Sequence, residues 1–519
     1  MTKLVGILTI NGLELKVGDI LDKYDKNALR KLKTKYTIKH HNFITKIDSY
    51  IHSWVEIKNK KLLILPRTSE YKLLESKIID DVKYEIPIVD TINLSYTGKS
   101  TYNQDIVYKY LMKNVYNKDG KKGCIMKLLA GGGKTFLAFE IIKKINKKTL
   151  IIVPNTYLLD QWVVLLTQLF PENKIGQYYT KKKINGDIVV AIINSAANSK
   201  EFTFKVSRGK YNTVLSDDFF KEFGLVIYDE CHMYCTTMFK QIFNKVNVEN
   251  VMGLSATPDE RGDGFDKLVK FHLGDIIDAE TIEGYEKNNN KFLSLVKVIK
   301  YNAPDEFSNI HINKHTKLVN VPKIMEELTS DPYRNQLIIN KLVDFYNKKR
   351  NVFVFSDRRE HLELLYNKFI NVMIIQNKNI KSDTFIPELY KEDDNRLESS
   401  ILYGGSNEED INTARNHSKI IFTTYQYSST GVSIVKMDTL VLATPRRNNM
   451  TQIIGRIFRL GSDICITRII VDLLDNKSVL KGQHSERKKS YKDRESEFEK
   501  EEIDYGNINL ELKNLNLNT

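Results

Sequence analysis

The segment IMKLLAGGGKTFLAFEII, residues 125–142, constrains this chain more than any other. A short apolar run leads into Gly131-Gly132-Gly133-Lys134-Thr135 and then into a stretch whose apolar residues recur at helical spacing. A strand, a glycine loop and a helix in that order can cradle phosphate. Glycines let backbone N–H groups turn inward on phosphate oxygens, and the helix N-terminus adds the positive end of its dipole. Lys134 can reach the β- and γ-phosphates, and the Thr135 hydroxyl can ligate Mg²⁺. The strict form of such a loop also has glycine at position 128, where this chain has Leu128. Taken alone, the segment favours the phosphate loop over its alternative, a glycine turn entering a helix with an exposed lysine.

A second segment, FGLVIYDECHMY (223–234), narrows the choice, because it ends a hydrophobic strand in the adjacent acids Asp229 and Glu230. Such a pair suits phosphoryl chemistry: Asp229 holds Mg²⁺ and Glu230 polarises the attacking water. Cys231, His232 and Cys235 lie too close together for three zinc ligands and lack a fourth nearby. A third segment, TQIIGRIFR (451–459), places Gln452, Arg456 and Arg459 at i, i+4 and i+7, predicting one face of a helix that meets phosphates. Arginine donated across a cleft stabilises charge on a transferred phosphoryl group.

Apolar runs at 125–129, 149–154, 187–193, 223–229 and 250–256 alternate with helical periodicity, as at 135–145 and 156–170, and read as buried parallel strands. A second series follows at 292–301, 351–357, 418–425, 438–444 and 466–473. The fold class is therefore α/β with two tandem parallel-sheet domains and a small α+β N-terminal module. Residues 1–88 form the basic accessory module, 89–287 the ATP-binding domain, 288–480 the second domain and 481–519 a charged tail. The tail has 8 basic and 9 acidic residues and reads as a solvated helix with a frayed end.

The chain carries 79 Lys and Arg against 65 Asp and Glu, a net charge of +14, which suits an anionic partner. Residues 1–100 alone contribute 18 basic against 12 acidic. Four scattered cysteines, Cys124, Cys231, Cys235 and Cys465, do not make a disulfide framework and fit a reducing compartment. No apolar run approaches the roughly 18–20 residues of a membrane span, and the N-terminal residues do not read as a secretory signal. The expectation is an intracellular, soluble protein with no membrane partner.

In order, Gln104, LLAGGGKT, IIVPNTYLLDQW, DECH, GLSATP, STGVSI and QIIGRIFR resemble the motifs of a superfamily 2 helicase across roughly residues 90–475. The segment 253–277 is similar to the XPB-like branch, with Arg261, Asp263 and Gly264 after Ser-Ala-Thr-Pro. The stretches 331–346 and 352–366 resemble poxvirus-type transcript-release DNA helicases of large DNA viruses. The resemblance implies two RecA-like domains with ATP and Mg²⁺ between them and a nucleic-acid strand across them. It assigns Gln104 to adenine, Gly131, Gly132, Gly133 and Lys134 to phosphate, and Thr135 and Asp229 to Mg²⁺. Catalysis falls to Glu230, Gln452, Arg456 and Arg459, and coupling of ATP state to closure to Ser255, Ala256 and Thr257. Pro154, Asn155, Gln161 and Trp162, with Thr424 and Gly431 in the second domain, are assigned to the strand. Ser433 stands where relatives often have an aspartate.

The function so implied is an ATP-dependent translocase or helicase acting on DNA rather than RNA, 3′ to 5′. Transcript release beside RNA polymerase or other transcription factors is the role the narrower resemblance implies. For a viral protein, that role lies in the host cytoplasm, at the viral factory, or in the virion. Recombination or fork remodelling is the rival motor role, and a nucleotide-gated scaffold that binds without unwinding is the rival outside the motor class.

Overall fold

The computed structural model describes residues 3–42, 47–117, 122–129, 132–180, 182–197, 217–236, 238–259, 264–286, 292–313, 319–380, 398–404, 406, 408–426, 434–446, 450–459, 462–476, 478–492 and 494–510. The chain forms two compact units, Met1–Lys287 and Asn288–Thr519.

The first unit is built on an eight-stranded sheet. Its order is Lys182–Ile184, Ile175–Tyr179, Ile188–Ile192, Thr149–Val153, Leu225–Asp229, Asn250–Ser255, Gly123–Lys127 and Ile276–Asp278. All pairings are parallel except that of Lys182–Ile184, which closes one edge. The three central runs rich in Val and Ile are buried at every position, as strands covered on both faces must be. Helices Lys134–Ile145 and Thr156–Leu169 turn Leu137, Ala138, Ile141, Leu159, Trp162 and Leu166 into one apolar core. These elements follow the predicted runs to within a few residues. The sequence reading missed Ile175–Tyr179 and Ile276–Asp278, which are short and half-buried.

The first 84 residues hold a five-stranded sheet, ordered Val55–Ile57, Leu62–Leu65, Gly12–Lys16, Val5–Thr9, Asp81–Tyr84, and a hairpin of Thr37–Asn42 with Ile47–His52. This part is joined to the larger sheet through buried polar contacts. The Arg67 guanidinium donates to the Val248 and Glu249 carbonyls at 2.7 and 3.2 Å, and the Asn247 N–H donates to the Ile10 carbonyl at 2.9 Å. Ile38 and Ile51 of the hairpin enter the same core as Tyr228 and Phe219.

The second unit is a seven-stranded, all-parallel sheet in the order Ser399–Leu402, Ile420–Thr424, Val352–Ser356, Thr439–Leu442, Arg468–Asp475, Ser294–Asn302, Glu497–Asp504. Here the expected solvated tail is corrected. Residues Ser478–Lys492 form a helix, and Glu497–Asp504 is an edge strand of the sheet. Two buried features hold the helix. The Arg487 guanidinium meets both oxygens of Asp472 at 2.9 and 2.8 Å, and the Tyr491 hydroxyl donates to Oδ2 of the same carboxylate at 2.8 Å. Arg487 and Asp472 are each about 1% exposed, and Arg487 holds the carboxyl below its usual range against the opposing cost of burial. The acidic edge strand faces lysines of its neighbour, with Lys297 on Glu499 at 2.9 Å. A mixed-charge sequence looks solvated because half of each ion pair lies elsewhere in the chain.

Among the described residues no helix is long and apolar enough to cross a membrane. Removing the cation from a buried pair leaves an uncompensated charge, so Arg487→Ala is expected to cost about 3–5 kcal/mol of unfolding free energy. Chemical denaturation checks this, and unchanged stability would show that the helix is not docked through Asp472.

Candidate nucleotide and nucleic-acid site

The site follows from register. Lys127 pairs with Ser255, Leu254 with Asp229, and Tyr228 with Ile152, so four neighbouring parallel strands end at one level. Ligands of open parallel sheets bind beyond the carboxyl ends of the strands, where the chain leaves for its helices. The phosphate loop, the acid pair, the Ser-Ala-Thr segment and the Pro154–Trp162 segment all leave from this edge.

Gly133 caps the helix Lys134–Ile145 in the left-handed region, at φ 81° and ψ 28°. A side chain there would be strained, and its Cβ would strike the Gln104 amide. Gln104 is buried at the loop. Its Oε1 accepts from the Thr101 N–H at 2.8 Å, and its Nε2 lies 3.4 Å from the Gly133 carbonyl. The residue assigned to adenine thus also braces the loop and caps its own helix, Tyr102–Leu111. Gly131 lies outside the described residues; Gly132 is within them, its N–H bonded to the Leu129 carbonyl at 2.9 Å.

Lys134 Nζ lies 3.5 Å from Glu230 Oε1. Glu230 sits at φ 48° and ψ 47°, a left-handed conformation that costs a non-glycine residue about 1–2 kcal/mol. This reversal turns the chain from the strand into the short helical turn Cys231–Tyr234. Beside it, Asp229 is buried. Burial first, and then the charge of Glu230, push its carboxyl up, while the Trp162 indole N–H, 2.8 Å from Oδ2, and Lys134 pull it down. His232 Nδ1 lies 2.9 Å from the Ser255 hydroxyl and 3.4 Å from Glu230 Oε2, and the Thr257 N–H donates to Ser255 Oγ at 3.0 Å. A continuous polar chain therefore runs from Glu230 through His232 and Ser255 to Thr257, with Ala256 buried between the last two.

These residues fit a magnesium nucleotide. A loop with no room for a Cβ, one ammonium, a buried carboxylate at the adjoining strand end and the Thr135 hydroxyl in the first helical turn are the donor set that phosphate and a hard cation require. Among the described residues no three His, Cys, Asp or Glu side chains converge as a metal cluster, and Cys231 and Cys235 are buried thiols.

Two expectations are corrected by the geometry. Trp162 is 2% exposed and bonded to Asp229, so it underpins the acid pair and presents no surface to a strand. Gln161, half-buried, donates to the Tyr157 hydroxyl at 2.8 Å. Asn155 caps the helix Thr156–Leu169 by accepting from Leu158 N–H at 2.9 Å, and Pro154 is half-buried at the strand end. The predicted continuous helix over 451–459 ends at Ile454. Beyond Gly455 the bonds shorten to i−3, Arg456 N–H to Ile453 and Ile457 N–H to Ile454, both at 3.1 Å. Gln452 and Arg456 are buried and Arg459 half-buried, so they form no exposed stripe. Thr424 ends its strand half-buried. Gly431, Ser433, Arg261 and Asp263 lie outside the described residues. The sequence reading missed His232, which it weighed only as a zinc ligand. The signal was present, since the residue stands two positions beyond Glu230 at a strand end.

Residues 97–260 match the family model described as "Type III restriction enzyme, res subunit". An African swine fever virus protein (isolate Warthog/Namibia/Wart80/1980), named as the ATP-dependent RNA helicase QP509L, is 32% identical over 419 residues, covering 75% of this chain and 71% of that protein. The Acanthamoeba polyphaga mimivirus protein named as the ATP-dependent RNA helicase L396 is 24% identical, covering 93% of this chain and 85% of that protein. Transcript termination protein A18 of camelpox virus is 25% identical, covering 64% of this chain and 62% of that protein. Among solved structures, S. cerevisiae Dbp5 bound to RNA and ADP BeF3 aligns over 78% of this chain and 94% of that one, at 13% identity and a TM-score of 0.46. At 32% identity over three quarters of its length to the African swine fever virus protein, the chain belongs to the ATP-dependent helicases of large DNA viruses.

Proposed function

We propose that this enzyme is an ATP-driven translocase on DNA, moving 3′ to 5′, that serves transcript release alongside RNA polymerase. The observation that carries the motor reading is the convergence of Lys134, Asp229 and Glu230 at one sheet edge, linked through His232 to Ser255 and Thr257. The similarity to the camelpox transcript termination protein supports the transcription role. The names of the African swine fever virus and mimivirus relatives favour a second reading, in which the strand is RNA.

Lys134 and the loop N–H groups hold the nucleotide phosphates. Thr135 and Asp229 would hold Mg²⁺, which when bound would neutralise phosphate charge. Trp162 favours the ionised form of Asp229 by donating to its carboxylate, against burial and the charge of Glu230. Glu230 orients water and accepts its proton, and we assign Gln452, Arg456 and Arg459 to the charge that develops on the transferred group. Loss of that charge is sensed at Glu230, and His232 passes the change to Ser255 and Thr257, the exit toward the nucleic-acid-binding segments. Pro154, Asn155, Gln161, Thr424 and Gly431 remain assigned to the strand, with phosphate contacts that tolerate sequence and weaken with salt.

ATPase stimulation by single-stranded DNA, duplex, fork and RNA, measured in parallel, tests the substrate. Stimulation by DNA over RNA supports the reading, and stimulation by RNA alone overturns it. Glu230→Gln is expected to keep ATP binding, lower turnover by at least 100-fold, within the range of a lost general base, and trap the strand-bound state; normal hydrolysis would remove Glu230 from its role. Trp162→Phe retains the packing and deletes the bond that lowers the Asp229 pKa. The acid limb of the ATPase pH profile should therefore move to higher pH, with the alkaline rate retained. An unmoved limb would mean the indole does not tune the carboxylate.

A further inference from the structure

Outside the motor, the N-terminal module carries an open groove of about 560 Å³ between the helix Lys26–Lys35 and the hairpin Thr37–Asn42/Ile47–His52. Its helical wall presents Lys26, Arg30 and Lys33, spaced i, i+4 and i+7, and its hairpin wall presents Lys39 paired across the ladder with Tyr50. The ladder dictates that display. Ile38 and Ile51 are buried in the core of the first unit, so their strand neighbours Lys39 and Tyr50 point the opposite way. The floor is fixed by one hydroxyl: Thr37 Oγ1 donates to the Lys33 carbonyl at 2.7 Å and accepts from Trp54 Nε1 at 2.9 Å, tying helix, hairpin and indole together.

The charge of the groove is only half compensated. Lys33 pairs with Glu56 at 2.9 Å and Lys39 with Asp48 at 2.7 Å, whereas no ion pair to a carboxylate is seen for Lys26 or Arg30 among the described residues. Tyr50 is 50% exposed, with Lys39 Nζ 5.8 Å from its ring centre, while the Trp54 ring is flanked by both Lys33 and His52. Cations without carboxylate partners beside a half-exposed aromatic ring match the chemistry of a nucleic-acid strand with an unstacked base. A duplex offers its phosphates to Lys26 and Arg30 but keeps its bases from Tyr50.

We propose that this groove is a second nucleic-acid site, independent of ATP, which grips a single-stranded segment through phosphates at Lys26 and Arg30 and a base stacked on Tyr50. It rests on the reading that the chain engages nucleic acid, and it adds a grip outside the motor domains. Such a site would hold the strand while the motor releases it during its cycle.

The test uses the full-length chain without nucleotide and a fluorescent 20-residue oligodeoxythymidine, with oligouridine and blunt duplex in parallel. The substitutions are on the surface, and matching melting curves confirm that each variant folds. The double variant Lys26→Glu/Arg30→Glu is expected to make the slope of log affinity against log salt shallower by about 1.4, the value for two lost single-strand contacts. Tyr50→Ala is expected to weaken oligodeoxythymidine binding about fivefold or more and leave duplex binding unchanged. Both should retain the wild-type ATPase rate at saturating strand. Unchanged affinity and slope overturn the groove, as does an equal loss on duplex and single strand in Tyr50→Ala, or a loss confined to the saturated ATPase rate. A wild-type chain that binds the oligonucleotide through the groove but shows no stimulated ATPase refutes the motor reading instead. The oligouridine arm tells whether the groove also accepts RNA.

Discussion

The parallel register of four strands is the constraint on which the site depends. Lys127, Ser255, Asp229 and Ile152 belong to strands paired in step, so the loops that follow them start from one level of one sheet. A slip of two residues in any ladder would carry Asp229 or Ser255 roughly 6–7 Å along the strand, out of reach of its partners. The register is held by all-buried Val and Ile runs, which leave polar groups nowhere to go except the strand ends. Chemistry at the edge is therefore a by-product of a dry sheet interior, as in other open parallel sheets.

Within that edge the acid pair is tuned by opposing effects. Burial and mutual repulsion push Asp229 toward protonation, and the Trp162 indole and Lys134 act against both. A strained backbone at Glu230 brings the second carboxylate to Lys134 and leaves its other oxygen near His232. The strain is local, and the connection through Ser255 to Thr257 gives it a direction. A change in the charge at Glu230 acts through the 3.4 Å contact with His232 on the hydrogen bonds from His232 to Ser255 and from Thr257 to Ser255. In the second unit, buried ion pairs have a structural part. Arg334 on Asp475 and Arg487 on Asp472 fix helices to the sheet, and Arg487 also donates to the Arg446 carbonyl near the arginine segment.

Much of this was legible in the sequence, for identifiable reasons. Buried parallel strands are continuous apolar runs, so the sheets could be read directly, together with the placing of Lys134, Asp229 and Glu230 where loop and strand end. What could not be read depends on partners distant in the chain. Trp162 resembles a surface contact until Asp229, 67 positions away, supplies its acceptor. Arg487 and Tyr491 sit in a run of mixed charge and are buried only because Asp472 is buried opposite them. The helical phase of Gln452, Arg456 and Arg459 was misread because periodicity does not reveal where a helix tightens at Gly455.

The net charge of +14 sits on a chain whose C-terminal segment has none to spare, and the N-terminal groove gives part of the excess a location. The central claim remains the ATP-hydrolysing edge of the first unit, and its one loop cation offers the most direct test. The account predicts that Lys134→Ala, with an unchanged melting temperature, binds single-stranded DNA as the wild type does yet shows no stimulated ATP turnover. Turnover retained at the wild-type rate would contradict it.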